Sequence, residues 1–277
     1  QNIEEIAKEL NLGLDSFVFW DDNPIEREKM KKFCPQVNTI NVPEEVIEWP
    51  EILNNLETFS KFNITKEDKK KTYQYKKRAE FVRDVNKKKD EISYLKSIKL
   101  KPKIHLLSQA NIARAVQLCS KVNQYNLRSK RHSEKDLLKF SKENKNFCFL
   151  ISLKDIYGDH GNIGLVCLKK INSNYVFLDT FLMSCRILGR HLESWILKNI
   201  LEICKKNKFN YLIGEFIPSK KNIIVKEFLK SHKFNYLKKS NPAFDKSKKF
   251  LDAKSDKYII NTNIDKLPFE EIYEKNR

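Results

Sequence analysis

The chain has 277 residues, of which 40% are hydrophobic and 32% are charged, and its formal net charge is +18 at pH 7. This length allows one large domain or two ordinary ones, and no apolar run approaches the ~20 residues of a membrane-spanning helix. The acidic, helical start of the sequence argues against a signal peptide. Because Gln1 stands where an initiator Met would be, we expect a fragment or a trimmed product.

The six cysteines are scattered along the chain, and no two of them form a C-x-x-C pair. This spacing argues against a zinc site or a disulfide framework. Most of the cysteines lie inside apolar runs, which predicts buried thiols in a reducing compartment and hence a cytoplasmic protein.

The charge is unevenly distributed. Up to Thr58 there are 13 acidic and 5 basic residues, so this part carries −8 and the remainder carries +26. The sign change predicts two units of different origin. A strongly basic surface favours acidic partners such as nucleic acid, anionic lipid or an acidic carrier protein, unless the lysines serve only as solvent cover. The patterned aromatic residues of a stacking platform are missing, which argues against nucleic acid.

The first elements have an α/β pattern. Apolar spacing predicts a helix over Asn2–Leu10, and a continuous apolar run predicts a buried strand over Phe17–Trp20. Asp21 and Asp22 follow this strand at its carboxyl end, before a second predicted helix at Ile25–Lys32. Adjacent carboxylates suit Mg²⁺, which prefers hard oxygen ligands. The alternative is a helix cap and turn, and local chemistry alone favours it.

A Lys-rich connector follows the acidic part. Thr65 is predicted to cap a helix that runs to about Val85 and contains Tyr73, Tyr75 and Phe81. We interpret it as a solvated linker helix, with nucleic-acid binding as the alternative.

A second domain is predicted to begin near Lys101. The Gly- and Asn-containing turns between its three central strands predict an antiparallel meander. The predicted strands are Ile104–Leu107, Phe147–Leu153, Ile163–Leu168, Tyr175–Met183, Tyr211–Ile217, Phe234–Leu237 and Asp256–Asn261. Four helices are predicted in this domain. The first spans Gln109–Asn123, and the second begins at Ser133. The third runs from the basic turn to about Lys206, and the fourth runs from Lys221 to about His232.

The stretch from Asp179 to Glu193 joins a strand to a helix through a basic turn. The free N–H groups and the dipole at a helix start make an anion site, and Arg186 and Arg190 flank this one. Guanidinium groups suit phosphate geometry, so the pattern favours a phosphorylated ligand or cofactor. The alternative is a strand–helix corner with two solvated arginines.

Several phrases together resemble the FkbH-like family, which joins a haloacid-dehalogenase (HAD) type phosphatase domain to a GNAT-like acyltransferase domain. They are FVFWDDNPIERE, ITKED, SKVNQYNLRSKR, DIYGDHGNIG, DTFLMSCRILGRHLE and IPSKKN followed by KEFLKSHKF. Their order and spacing cover most of the chain. The element order β-α-α-β-β-β-α-β-α-β is also that of the acyl-CoA N-acyltransferase (GNAT) layout.

The resemblance implies a phosphatase half in which Asp21 and Asp22 match a late acidic pair that holds part of a Mg²⁺ site. No D-x-D-x-T motif with the nucleophilic aspartate occurs in the sequence. We therefore expect a truncated C-terminal piece of a HAD-like Rossmannoid unit followed by a GNAT-like α+β mixed-sheet domain. The expected boundaries are 1–58 for the HAD piece, 59–100 for the linker, 101–262 for the GNAT-like domain and 263–277 for a tail.

The resemblance also implies site residues in the GNAT-like half and phosphopantetheine or CoA as a cofactor. Val122 stands where the family pattern has Thr, and His191 occupies the last small position of the pyrophosphate-binding R/Q-x-x-G-x-G/A pattern. A bulky residue there argues against ordinary acetyl-CoA use. The implied positions are Lys121, Asn123, Gln124, Asn126, Asp155, Gly158, Asp159, Gly161, Cys185, Arg186, Gly189, Arg190, Lys221 and Asn222.

Each role has an alternative. Cys185 could carry an acyl group as a thioester, or be a small buried thiol. Arg186 and Arg190 could clamp a phosphate, or pair with Glu193 or Asp179.

The polar phrases leave the same kind of choice. Asn123 and Gln124 could line a polar pocket or end a helix. Asp159 and His160 could be an acid–base pair, or only a Gly-bracketed turn. Asn222 is a predicted N-cap.

These observations predict the C-terminal portion of a carrier-protein acyl (glyceryl) transferase and phosphatase. Its expected partners are a phosphorylated small molecule and an acidic acyl carrier protein. The alternative is a catalytically silent GNAT-like module that only docks the carrier.

Overall fold

The computed structural model of the chain describes residues 2–59, 66–143 and 146–273. It divides into two compact units, Gln1–Val82 (unit 1) and Arg83–Arg277 (unit 2). This division coincides with none of the predicted boundaries, which remain predictions. The predicted cap at Thr65 lies outside the described residues. Among the described helices, none is both long enough and apolar enough to cross a membrane.

Unit 1 is a small α/β arrangement. Its parallel strands pair with Val18 opposite Asn38. Asn23 caps the second helix by accepting a hydrogen bond from the N–H of Ile25, with Pro24 in the first turn, so the predicted cap is confirmed. A HAD-like domain is not shown by this unit. Its elements, with a last helix that runs on into unit 2, are α1 (Asn2–Leu10), β1 (Val18–Phe19), α2 (Pro24–Phe33), β2 (Asn38–Thr39), α3 (Trp49–Asn54) and α4 (Lys66–Asn86).

Unit 2 is a mixed α/β domain built on one large mixed sheet, as predicted. Its helices are α5 (Glu91–Ser97), α6 (Ile112–Lys121), α7 (Glu134–Lys142), α8 (Leu192–Lys206), α9 (Phe228–Ser231) and α10 (Pro242–Ser247). Its strands are β3 (Lys101–Leu106), β4 (Phe147–Asp155), β5 (Gly158–Lys170), β6 (Tyr175–Met183), β7 (Tyr211–Phe216), β8 (Asn235–Tyr236) and β9 (Asp256–Asn261).

The strand order in the described part of unit 2 is β3-β4-β5-β6-β7-β9-β8. Strands β4, β5 and β6 form the predicted antiparallel meander, and β3 pairs antiparallel with β4. β6 pairs with β7 in parallel through the α8 crossover. A register shift in the β5–β6 pair sets Cys167 opposite Thr180 and Leu168 opposite Leu178, so Asp179 is the extra residue of a β-bulge. Bulges bend a strand and re-aim its side chains.

The parallel pair separates early. β6 and β7 pair only over Tyr175–Phe177 and Tyr211–Ile213, after which their carboxyl-terminal halves diverge. We call the space between the diverging halves the wedge. In sheets with parallel strands, ligands bind outside the carboxyl ends where neighbouring connections part. The wedge and the two connections that follow it therefore form the part of unit 2 where a site is expected.

Apolar clusters cover both faces of the sheet. In β5, Val166 and Leu168 belong to one buried cluster, whereas Leu165 and Cys167 belong to another. This alternation follows from the two-residue period of a strand. The first cluster includes α8, whose buried face is continuous, and the second includes α6 and α7. The clusters hold the wedge strands in a fixed frame.

The structure differs from the sequence prediction at the β4–β5 hairpin. The predicted strands ended at Leu153 and resumed at Ile163, but β4 continues to Asp155 and β5 begins at Gly158. Gly158 (φ 129°) and Gly161 (φ 65°) adopt backbone angles that side chains disfavour, which lets the short turn and the irregular start of β5 form. The expected tail at 263–273 also packs on the first cluster through Leu267 and Tyr273.

Candidate functional site

The turn between β6 and α8 begins with a 3₁₀ turn at Cys185–Ile187. Gly189 (φ 86°) and His191 (φ 50°) both adopt the left-handed conformation, and α8 starts at Leu192. His191 therefore occupies a backbone state that favours glycine, and its ring stacks on Phe269 at 3.7 Å between centroids. This is how a bulky residue is accommodated at the position where the family pattern has a small one.

Arg190 is fully buried and faces inward. Its Nε donates to Asp155 at 2.8 Å, and the other Asp155 oxygen lies 2.9 Å from His160 Nε2. Burial would raise the pKa of Asp155, but the hydrogen bond from His160 and the charge of Arg190 outweigh it, so the pKa is lowered. The Tyr273 hydroxyl also donates to the Arg190 carbonyl at 2.7 Å. The sequence predicted Glu193 or Asp179 as an alternative partner of Arg190, but the structure shows Asp155 in that role.

The rest of the basic turn lies close to the protein interior. Arg186 is 6% exposed, and its Nε donates to the Ser184 hydroxyl at 3.2 Å. Cys185 is half-buried and begins the 3₁₀ turn. The phosphate-clamp role of Arg186 and the thioester role of Cys185 stay predictions.

Asp159 and His160 point to different partners. Asp159 is exposed and pairs with Lys154 at 2.8 Å, whereas His160 is buried against Asp155. The two side chains therefore have different partners, and the acid–base role of Asp159 stays a prediction. Their alternation on β5 explains the different partners, because adjacent residues of a strand face opposite sides.

The amide-rich phrase fills the wedge. The Leu127 N–H donates to the Phe181 carbonyl, and the Met183 N–H donates to the Tyr125 carbonyl, at 3.2 and 2.9 Å. On the other side, the Ile217 N–H donates to the Leu127 carbonyl at 2.9 Å. We call residues 125–128 the insert. It satisfies backbone groups that the diverging strands would otherwise leave without strand partners.

The predicted amide residues support this insert. Asn222 is fully buried and donates to the Asn126 and Ile217 carbonyls at 2.9 and 3.0 Å. Asn123 accepts a hydrogen bond from Arg131, and Gln124 Oε1 is buried without a hydrogen-bond partner among the described residues. Asn222 precedes a 3₁₀ turn without a side-chain capping bond, so the predicted N-cap bond is not formed. Its hydrogen bonds instead join the connection after β7 to the insert.

Arg128 links the two wedge strands, which the sequence analysis did not predict. Its Nε donates to Glu215 at 2.7 Å and its Nη1 donates to Asp179 at 2.8 Å. Asp179 also lies near Lys130 (2.9 Å) and His132 (3.3 Å). Burial would raise the pKa of Asp179, but the hydrogen bond from His132 and the charges of Arg128 and Lys130 hold it well below its usual range.

Glu193 is an acidic residue in the first turn of α8. Its side chain is 17% exposed, and Oε1 lies 3.8 Å from His191 Nδ1. His191 Nε2 lies 3.3 Å from Glu91, whose side chain is half exposed. Burial raises the pKa of Glu193, and its own backbone hydrogen bond and the His191 charge only partly offset this. A carboxyl with a perturbed pKa beside a turn is a candidate functional group.

The predicted metal residues lie in unit 1. Asp21 Oδ1 accepts the Asn23 N–H at 2.9 Å, and Arg27 donates to the Asp21 and Asp22 carbonyls. No group of three metal-ligating side chains lies together among the described residues. Because Mg²⁺ requires about six oxygen ligands, two carboxylates alone do not complete its site. The Mg²⁺ assignment at Asp21 and Asp22 stays a prediction.

No model of a known protein family matches the chain, and no curated protein sequence matches it. Among solved structures, the GNAT domain of S. lividans PAT is 14% identical, with a TM-score of 0.43 over 58% of this chain and 90% of that chain. N-acetylglutamate synthase from Neisseria gonorrhoeae, complexed with coenzyme A and N-acetyl-glutamate, is 11% identical, with a TM-score of 0.45 over 59% and 36%. A domain from Methanocaldococcus jannaschii is 12% identical, with a TM-score of 0.44 over 59% and 99%. These TM-scores lie below 0.5, so the likenesses carry no functional conclusion.

Proposed function

We propose that unit 2 is a GNAT-like acyltransferase domain that handles an acyl group carried as a thioester of CoA or phosphopantetheine. The observation that supports this most is the parallel pair β6–β7 of unit 2, which diverges into a wedge beside the basic turn at Cys185–Arg190. The observed element order from β3 to β8 agrees with the predicted GNAT order, and α10 and β9 follow as additional elements.

The finer proposal is that the chain is the C-terminal portion of an FkbH-like phosphatase and acyl (glyceryl) transferase. It would load the acyl group of a phosphorylated precursor onto an acidic acyl carrier protein. The resemblance in sequence supports this, and the +26 charge of residues 59–277 suits an acidic carrier. In the intact protein, Asp21 and Asp22 would supply part of a Mg²⁺ site.

The test is NMR titration of the chain with phosphopantetheine and with pantetheine, which lacks the phosphate. We expect the phosphorylated ligand to bind more tightly and to shift the amide signals of residues 184–191. Arg186→Gln should remove the difference between the two ligands. Equal affinities for both ligands in the unmutated chain, or shifts confined to unit 1, would contradict the proposal.

A second function is favoured by the filled wedge. Backbone groups of Phe181, Met183 and Ile217 are already hydrogen-bonded to the insert, so a ligand that carries an acyl chain cannot form hydrogen bonds with them while the insert is in place. Unit 2 would then hold a carrier protein without transferring an acyl group. Carrier binding by the chain without transfer of an acyl group to the carrier would favour this docking function.

A further inference from the structure

Two exposed isoleucines follow the carboxyl end of β7. Ile223 is 69% exposed and Ile224 is 55% exposed, whereas Val225 beside them is fully buried. They sit on a 3₁₀ turn that Asn222 attaches to the insert. The pair is therefore presented on a fixed connection and not on a loose loop.

Lysines surround this pair. Residues 217–233 contain five lysines and only one acidic residue, Glu227. Lys220, Lys226 and Lys230 are exposed in the structure. An apolar centre with a charged rim is the usual composition of a protein-binding surface. We call Ile223, Ile224, Lys220, Lys226 and Lys230 the β7 patch.

The position of the β7 patch connects it with the proposed site. The connections after β6 and after β7 start at the same end of the sheet, because these two strands are parallel. The first connection is the basic turn, and the second carries the patch. A partner bound on the patch would place its prosthetic group at the carboxyl end of β6, where the basic turn begins.

A rival basic surface on α7 is less suitable. A groove of about 760 Å³ lies there against Lys135, Leu138, Lys139 and Lys142, but Glu134 and Glu143 also line it. Mixed charge reduces the attraction for an acidic partner. This groove nevertheless provides matched control lysines.

We propose that the β7 patch is the docking surface for an acidic acyl carrier protein, with an apolar residue of the carrier on Ile223 and Ile224 and its carboxylates on the lysines. This inference rests on the proposed function and adds the place where the partner binds. Charge complementarity selects this occupant, because the patch has one acidic residue among its neighbours.

The experiment measures binding of a phosphopantetheinylated acyl carrier protein, and of its form without phosphopantetheine, to the whole chain by calorimetry at low and physiological salt. Ile224→Asp and the double variant Lys220→Glu/Lys226→Glu should each weaken binding by about tenfold or more. The controls are Ile156→Asp, an isoleucine that is 58% exposed on the β4–β5 turn, and Lys139→Glu/Lys142→Glu on α7. The controls should change binding by less than about twofold.

The outcomes separate the two proposals. If the unmutated chain binds neither form of the carrier at low salt, the proposed partner is wrong and the docking inference falls with it. If the chain binds and the patch variants bind equally well, the docking inference is wrong while the proposed function stands. Loss of carrier binding in the α7 variants would also overturn the inference. So would a result in which the patch variants bind the carrier normally and lose only an association between copies of the chain. Unchanged thermal unfolding of each variant verifies that it is folded.

Discussion

Arg128 compensates the charges of two buried carboxylates inside unit 2. Its guanidinium faces two nearly inaccessible carboxylates, Asp179 and Glu215, that lie on different strands. Removing one member of a buried ion pair leaves a buried charge without compensation. The arginine is therefore more important to the fold than an exposed lysine in the same phrase.

We expect Arg128→Met to lower the free energy of unfolding by about 3–5 kcal/mol, since both carboxylates would lose their main counter-charge. Urea denaturation followed by circular dichroism measures this. Lys130→Met is the matched control, because the Lys130 side chain is 45% exposed and its loss should cost below about 1 kcal/mol. Equal effects of the two substitutions would show that Arg128 does not hold the wedge strands together.

Glu193 provides a prediction of pH dependence. Its pKa in the folded protein is raised above the ordinary value of 4.5, so the folded state holds the proton more tightly than the unfolded state. The resulting stabilisation is present below that value and is lost as the pH rises through the folded pKa. Glu193→Gln should therefore have a higher Tm than the unmutated chain at pH 8 and a similar Tm at pH 4.

Thermal unfolding across this pH range measures the effect. Glu202→Gln, on the exposed face of the same helix, is the control and should behave alike at both pH values. A Tm difference for Glu193→Gln that does not change with pH would contradict the assignment of a raised pKa.

Residue patterns predicted where Arg190, Asp159 and Asn222 lie but not what they contact. Arg190 pairs with Asp155, which is 35 positions away in the sequence. Local spacing contains no information on such distant pairs. The same limit explains why the Arg128 network was missed, because Arg128, Asp179 and Glu215 come from three separate segments.

At the scale of the elements, the periodicity of apolar residues predicted helix and strand bounds well where a single pattern ran without interruption. The bounds of α1, β6 and β9 were predicted as observed. The β4–β5 turn was predicted too long because polar and Gly residues within a strand resemble a turn. The amides Asn123, Gln124 and Asn126 were predicted to line a polar pocket or to end a helix. The insert itself was not predicted, since its bonds to β6 and β7 arise only when the sheet has formed.

The capping box of α7 gives a prediction for an element. Ser133 accepts the Asp136 N–H, and the Asp136 carboxylate accepts the Ser133 N–H. Ser133→Ala should destabilise the protein by about 1 kcal/mol, since it leaves a helix N–H without its partner. Urea denaturation checks this.

Ser141→Ala, on an exposed position later in the same helix, is the control and should be neutral or slightly stabilising. A cost at Ser141 as large as at Ser133 would argue against the cap.

At the scale of the whole molecule, the two units differ in how much core they possess. Unit 2 contains the large apolar clusters, whereas unit 1 has a sheet of two short strands. A two-stranded sheet is marginally stable by itself. We expect unit 1 to unfold at a lower urea concentration than unit 2.

The tryptophans allow a direct measurement, because Trp20 and Trp49 belong to unit 1 and Trp195 belongs to unit 2. Fluorescence of the Trp195→Phe variant follows unit 1, and fluorescence of Trp20→Phe/Trp49→Phe follows unit 2. Two distinct midpoints are expected. Coincident midpoints would show that the units unfold as one cooperative body.

The insert also has a consequence for solvent exchange. The amides of Leu127, Met183 and Ile217 donate to carbonyl groups inside the wedge, so water reaches them only when the insert leaves. Their deuterium uptake should be slow in the unliganded protein. A thioester ligand that displaces the insert would accelerate uptake at these amides, whereas one that binds at the outer edge would leave it unchanged.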